Sequence, residues 1–582
     1  MALMPRRLGA CLLGLLSPFV LEHPAFAAWQ PNGVAVCNVA GGQITPLVVS
    51  DAQGGAYVVW EDARTLPAQI YAQHLNAVGD PLWAVGGIMV SSGTYSQTKP
   101  VAVGDGAGGV IVSWILEIVP GAREARGQRL NAAGMTLWAG GGIPFSPGPA
   151  FPVQLAIISD GRQATLQTPG VILAWTDIRN GSTTDIYAQA IDNAGVPRWN
   201  VAVCTAVDQQ SELVMVTDGS GSTFASPRGA ILAWRDGRVA GDDVDLYAQR
   251  LNSAGVPQWA ADGVAVDAGG SGVQEPVIVG AGATNAIIAW PGVGPSRSYA
   301  LWAQRVGDSG SWPGTGVLVA PPNGHQTGPS AIADGSGGIL VSWSAFGAGL
   351  DRDLFAQRLN STGAPVWAAS GVSVSNVPGS QSLPIVVHAR DQGAVIAWQD
   401  RRSLTDSDIY AQQMSSAGVA LWNPGGVPLC VVPGNQYDVA AAPDTTGGAI
   451  VAWTDERSGS GTDIYAQRVT GWGGVVAVEP AGGSAGLELR APFPNPTRTG
   501  VTFRYDLPEA REVTAVIFDV NGRRVRTLLA QQPLPAGAQT LAWNGEDDAQ
   551  ARVAPGVYWL SLRAGAEEGR RRAVLLRSEG RP

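Results

Sequence analysis

Four carboxylates stand close together at Asp236, Asp242, Asp243 and Asp245, the only dense acidic cluster in the first 478 residues. A hard cation such as calcium wants several oxygens at once, so this stretch is the candidate metal site, set against the commoner solvated acidic loop. Calcium is the one cofactor the sequence raises, and none is required. Asp51, Asp105, Asp334 and Asp444 each open an Asp-x-x-Gly-Gly or Asp-Gly-x-Gly-Gly run and supply one carboxylate apiece. They read as hairpin turns.

Nucleophile and acid–base signals are poor. Gly482-Gly483-Ser484-Ala485-Gly486 matches GxSxG but lies in a Gly/Ala/Ser stretch, not on a strand-to-helix elbow. Gly307-Asp308-Ser309-Gly310 occupies a turn that returns elsewhere as Asn252-Ser253-Ala254-Gly255 and Asn360-Ser361-Thr362-Gly363. His74, His325 and His388 are dispersed along the chain, so a histidine-based zinc or acid–base site has little to draw on. Whether the protein is an enzyme stays open, and these residues weigh against it. Cys37, Cys204 and Cys430 each follow a Gly-Val-x-Val type strand, where a small side chain is wanted. The alternative is a Cys37–Cys430 disulfide between the two ends of the array.

The elements that must position these residues are repeats. Tryptophans at 60, 114, 175, 234, 290, 343, 398 and 453 are spaced by 54, 61, 59, 56, 53, 55 and 55 residues. Each is followed by an aromatic-Ala-Gln or its relic, at Tyr71, Gly127, Tyr187, Tyr247, Trp302, Phe355, Tyr410 and Tyr465. Each copy reads as four short strands, and the strand before the marker tryptophan is apolar on both faces, as in Ala230-Ile231-Leu232-Ala233-Trp234. A four-stranded unit covered on both faces and repeated eight times predicts an all-β, eight-bladed β-propeller. A strand of the last type occurs at both ends, within Trp29 to Cys37 and Trp472 to Val478, and one of them closes the ring.

A residue present in nearly every copy serves the fold, whereas a single site must be built from departures. Trp-x-Asp-x-Arg recurs at Trp60, Trp175, Trp234, Trp398 and Trp453, so its Asp–Arg pair is assigned to the frame. Gln43, Gln97, Gln210, Gln274, Gln326, Gln381 and Gln436 precede the first strand of seven copies and are expected to bond between blades. The motif is lost at Ile115, Leu116, Glu117, Ile118 and Val119; at Pro291, Val293 and Pro295; and at Ser344 and Phe346. If the loops after the tryptophan share one face, these three blades form an apolar sector, the candidate surface for a protein or glycan.

Residues 1–27 read as a secretory signal, with Arg6-Arg7, an apolar run from Leu8 to Val20 and a small-x-small site at Ala25-Phe26-Ala27. The propeller spans 28–478, 479–486 is a linker, and 487–582 is a second domain. The formal net charge of −10 becomes −11 without the leader, which argues against nucleic acid as a partner. No later apolar run is long enough for a transmembrane helix in the mature chain.

Beyond residue 487 the alternation changes, and some seven strands suggest an immunoglobulin-like sandwich. Pro494-Asn495-Pro496, Tyr505-Asp506-Leu507-Pro508, Asp519-Val520-Asn521-Gly522, Trp543-Asn544-Gly545 and Gly556-Val557-Tyr558 resemble the C-terminal sorting domain of the type IX secretion system. They are also similar to the immunoglobulin-like domain of flagellar hook-capping proteins. The resemblance covers residues 487–577 and implies export by an outer-membrane machinery, with the protein secreted or held at the surface of a bacterium with an outer membrane. Arg571-Arg572-Ala573-Val574-Leu575-Leu576-Arg577 fits the basic final strand of the sorting family.

The function expected is therefore a secreted or surface-attached binding protein. The alternatives are an extracellular carbohydrate-active hydrolase or lyase, for which Asp242, Asp243 and Glu275 would be tested first, and a structural surface-layer or appendage component.

Overall fold

The structure is a computed structural model. It describes residues 29–576 apart from 120–121, 147–149, 162–169, 180, 182, 221–227, 239–243, 268–271, 294–298, 315, 322–323, 347–350, 472, 476–487, 490–491, 493–496, 499, 508–509, 520–522, 536 and 566. The chain divides into two compact units between Val478 and Glu479.

The first unit is built from four-stranded antiparallel sheets that follow one another along the chain. In the first sheet, Gln43–Ser50 pairs with Ala56–Asp62, that with Gln69–Leu75, and that with Ile88–Met89. Six more sheets repeat this order of inner, second, third and outer strand. The eighth takes Gln436–Pro443, Ala449–Asp455 and Asp463–Val469 from the end of the array, and its outer strand is Val34–Cys37. The N-terminal segment therefore supplies the closing strand; Trp472 and residues 476–478 lie outside the described residues. Each inner strand packs against the inner strand of the next sheet, and Gln436–Pro443 packs against Gln43–Ser50. The sheets are thus propeller-like blades whose succession returns on itself.

Burial follows from this stacking. The second strand of the first sheet, Ala56–Asp62, is buried at all but one position, and the marker tryptophans are no more than 1% exposed. A second tryptophan set fastens neighbouring blades. Trp83 Nε1 donates to Ala132 O of the next sheet's turn (2.9 Å), as Trp138 does to Asn193 O (2.9 Å) and Trp312 to Ser361 O (3.0 Å). Trp29 completes the circle by donating to Ala77 O in the first sheet (3.1 Å). It lies against Gly79, where a Cβ would stand 2.8 Å from the indole.

The glutamines before the inner strands act less uniformly than expected. Gln97 Nε2 reaches Gln69 Oε1 of the preceding sheet (2.8 Å), and Gln326 Oε1 accepts from Leu301 N (2.7 Å). Gln210, Gln381 and Gln436 instead bond to carbonyls of the loop just before them.

The second unit has two sheets. Glu488–Leu489, Val501–Leu507 and Gly537–Trp543 form one; Arg524–Leu534, Arg511–Asp519, Gly556–Ala564 and Glu567–Leu575 form the other. Phe503, Tyr505, Val513, Ile517, Trp543, Leu560 and Leu562 make its core. Trp543 meets Tyr558 edge-on at 5.0 Å, and Tyr558 Oη donates to Ala554 O (2.6 Å), as a tyrosine corner does. Asp519 Oδ1 accepts from Arg523 N, and Gly556 opens the strand that carries Tyr558. The motif residues described here therefore build the sandwich. Pro494, Asn495, Pro496 and Gly522 lie outside the described residues, as does 1–28. Among the described residues no helix is long and apolar enough to cross a membrane.

Candidate functional site

The recurring Asp–Arg pair is a buried plug at the end of each blade that carries it. In the first sheet, Asp62 Oδ2 accepts from Trp60 Nε1 (2.8 Å) and Arg64 Nη2 (2.6 Å), and Oδ1 from Arg64 N and Nε. The guanidinium lies 4.0 Å above the Tyr71 ring, and its Nη2 also donates to Gly86 O. The carboxylate at this position is 0% exposed in all five copies. Burial pushes the carboxyls of Asp62 and Asp177 up, but the hydrogen bonds from arginine, indole and backbone carry both below the usual range.

The three cysteines belong to this frame, and the disulfide considered above is not formed. Cys37, Cys204 and Cys430 are free and buried, because each faces the plug of the sheet that follows it. Arg64, Arg238 and Arg457 Nη2 approach the three sulfurs at 3.0, 3.1 and 3.1 Å. Burial pushes the Cys37 thiol up to about 11 and those of Cys204 and Cys430 up to about 12, so none is a ready nucleophile.

The acidic cluster loses its best ligand to the same plug. Asp236 is committed to Trp234 Nε1 (2.7 Å) and to Arg238 (2.5 Å). Asp245 stands opposite Asp236 across the strand pair, while Asp242 and Asp243 lie outside the described residues. Among the described residues no three His, Cys, Asp or Glu side chains are grouped to hold a metal.

The same cross-strand pairing places Asp408 opposite Asp400. Burial, then the charges of Asp406 and Asp400, push the Asp408 carboxyl up to about 6. Its folded value is thus above its unfolded one, so the folded state holds the proton more tightly. Stability is lost as pH rises from about 4 through about 6 and stays lost above that. Asp408→Asn should therefore raise the urea midpoint at pH 7.5 and leave it nearly unchanged at pH 4. An equal shift at both values would contradict this.

The three departures from the motif are strand extensions, not apolar loops. Val110–Val119 and Ala122–Leu130 run on as a long hairpin, in which Ile115 and Leu116 are buried. Asn285–Val293 and Ile339–Phe346 are lengthened likewise, with Pro291 and Ser344 buried. Of the apolar residues expected at a partner surface, Ile115, Leu116 and Pro291 are core, since without the plug the second strand continues to pair with the third. Glu117, Ile118, Val293 and Phe346 are half-buried; Pro295 and the side chain of Val119 lie outside the described residues. Losing the aspartate also has a polar consequence. The indole N–H groups of Trp114, Trp290 and Trp343 are buried with no hydrogen-bond partner among the described residues, as are Trp302 Nε1 and Ser344 Oγ.

In the fifth and sixth sheets these departures bring together side chains that the sequence reading did not connect. Tyr299 and His325 have ring centroids 5.2 Å apart, and His325 meets Phe346 edge-on at 6.5 Å. Arg352 lies 4.7 Å over Phe346, and Gln274 Nε2 donates to Tyr299 Oη (3.0 Å). Tyr299, Phe346, Arg352 and Gln274 are half-buried and His325 is exposed. The five other arginines found over an aromatic ring each bond the aspartate of their own blade, whereas Arg352 has no carboxylate partner among the described residues. The available signal was positional: Tyr299 and Arg352 open third strands that begin with Asp or Gln in the five blades carrying the plug.

A second variable set lies at the start of the inner strands. A bulge there puts a residue in the left-handed region, including Lys99 (φ 53°), Glu212 (φ 50°) and Glu275 (φ 43°). Glu275 N donates to Glu212 Oε2 (2.5 Å), Gly328 N to Glu275 Oε2 (2.8 Å), and Lys99 N to Glu61 Oε1 (2.7 Å). Glu212 also pairs with Arg235 at 2.8 Å. These glutamates each accept from the bulged backbone of the following sheet, Glu275 among them.

Comparison with known proteins adds architecture and no activity. No curated protein matches the chain. A fungal alcohol oxidase of the AA5 family, in complex with copper, aligns at 13% identity and TM-score 0.37, covering 83% of this chain and 100% of that one. An α-L-arabinofuranosidase from Fusarium graminearum aligns at 11% and 0.33, covering 56% and 96%. The Aleuria aurantia lectin, in complex with a methyl fucoside, aligns at 15% and 0.29, covering 58% and 99%. At TM-scores this low the likenesses carry no argument about site or ligand. Residues 497–568 match the family model of the FlgD Ig-like domain, so the C-terminal unit is similar to the immunoglobulin-like domain of hook-capping proteins.

Proposed function

We propose that the protein is a secreted or surface-attached eight-bladed β-propeller that binds a protein or a glycan through its fifth and sixth blades. In this reading its C-terminal domain serves export or anchoring at the outer membrane. The observation that carries the reading is the cluster of Tyr299, His325 and Phe346, half-buried or exposed, in adjacent blades where the Asp–Arg plug is missing. Aromatic rings held in mutual contact but open to solvent suit recognition, since they offer apolar area at little cost in side-chain order.

The test is a glycan and surface-protein array probed with the full chain and with its Phe346→Ala variant, run beside a hydrolase and lyase screen. Binding without turnover, weakened in the variant, is expected. Turnover of any polysaccharide would replace this reading with the enzymatic one. For export, the support is the family match over 497–568 and the arginines of the final strand Glu567–Leu575. Deleting residues 487–582 should retain the protein inside the outer membrane, and unchanged surface display would remove the export role.

A further inference from the structure

We infer that the fifth and sixth blades form a stacking subsite for an uncharged sugar ring, with Tyr299, His325 and Phe346 as its apolar floor and Arg352 and Gln274 as its hydrogen-bonding rim. This rests on the binding function proposed above and names its ligand class. Three independent features support it.

The first is shape and rigidity. The rings hold one another at 5.2 and 6.5 Å, Gln274 pins the Tyr299 hydroxyl, and Phe346 N donates to His325 O (3.3 Å). A prearranged aromatic surface receives the C–H face of a pyranose through the negative face of its π system.

The second is unspent hydrogen-bonding capacity. Arg352 keeps its guanidinium over Phe346 with no carboxylate partner among the described residues, which leaves a planar fork of donors for adjacent hydroxyls. In the same two blades, Trp290 Nε1, Trp343 Nε1 and Ser344 Oγ are buried without hydrogen-bond partners among the described residues. In the plugged blades the same indole N–H bonds the aspartate two residues on, a position taken by Gly292 and Ala345 in these two blades.

The third is charge. Asp351 and Asp353 flank Arg352 in the chain, so this segment carries acceptors as well as donors and no surplus of positive charge. Burial and then the Asp351 charge push the Asp353 carboxyl up. A hydroxyl-rich neutral ring can use donors and acceptors alike, whereas a uronate, although its carboxylate could pair with Arg352, would bring a further negative charge to a segment that already carries two aspartates.

Saturation-transfer NMR on the full chain, with methyl glucoside, galactoside, mannoside, fucoside and xyloside and with methyl glucuronide, tests this directly. Saturation transfer to at least one neutral pyranoside is expected, and Phe346→Ala should weaken its binding at least about fivefold. Arg352→Gln, which leaves the floor intact, should weaken it in the same sense, while Leu66→Ala on the first blade should not. Transfer to the glucuronide alone, transfer to none, or transfer that survives Phe346→Ala with the urea midpoint unchanged would each overturn the sugar subsite. A protein partner from the array that is lost in Phe346→Ala, with no sugar signal, would overturn the sugar and leave the binding function standing.

Discussion

Removing residues 29–37 should open the first unit and produce the largest loss of stability of any change considered. Val34–Cys37 is the outer strand of the last sheet, pairing with Asp463–Val469, and Trp29 reaches into the first sheet. Trp29, Val36 and Cys37 are buried in a cluster that includes Trp60, Tyr71, Ile450 and Ala466, from the first and last sheets. Without the segment, both sheets expose apolar faces that no other described part of the ring covers. Trp29→Ala grades the same effect and should cost about 3–5 kcal/mol, the usual range for deleting a buried tryptophan. Urea unfolding and limited proteolysis of the two variants provide the measurement. A truncated chain with an unchanged midpoint and unchanged protease resistance would show that closure does not depend on this strand.

Asp455→Ala is the next most damaging change, because it leaves a charge and an indole without partners in the closing blade. Asp455 Oδ2 accepts from Trp453 Nε1 (2.7 Å) and Arg457 Nη2 (2.6 Å), and Oδ1 accepts from Arg457 N and Nε. Arg457 in turn donates to Asn32 O (2.8 Å), so the plug also holds the turn that leads into the closing strand. Gly33 fits beneath Trp453 at φ +90°, where a Cβ would come within 2.7 Å of the indole, so this turn has little room to adjust. Breaking one half of such a pair costs about 3–5 kcal/mol, since the orphaned cation stays half-buried. The double variant Asp455→Ala/Arg457→Met should be less damaged than Asp455→Ala alone. The second, fifth and sixth sheets already do without both partners and keep their four strands. A double variant as unstable as the single would assign the loss to the indole and not to the arginine.

The repeat made much of this legible beforehand. Eight tryptophans at near-constant spacing, each within an apolar run bounded by Gly- and Asp-rich turns, encode strands covered on both faces. Local chemistry sets each of those features. The same logic assigned the Asp–Arg pair to the frame, and the bonds from Asp62 to Trp60 and Arg64 show the reason. Reading departures as the place for a site marked stretches in which some side chains are core and others, Phe346 among them, are only half-buried. Ile115, Leu116 and Pro291 are apolar because a lengthened hairpin buries them, and no repeat comparison distinguishes an apolar loop from an apolar strand.

By itself, then, the sequence determined the strands, their order, the two units and the residues that recur to hold them, because these depend on periodicity and short-range bonding. Only the tertiary structure decided which terminus closes the ring, that Cys37 and Cys430 each face a different plug, and that Glu275 serves the backbone of its neighbour. It alone joined Tyr299, His325, Phe346 and Arg352, which are separated by as many as 53 residues in the chain. Their contact arises from the packing of one sheet against the next. That packing is a property of the closed array, and no single repeat contains it.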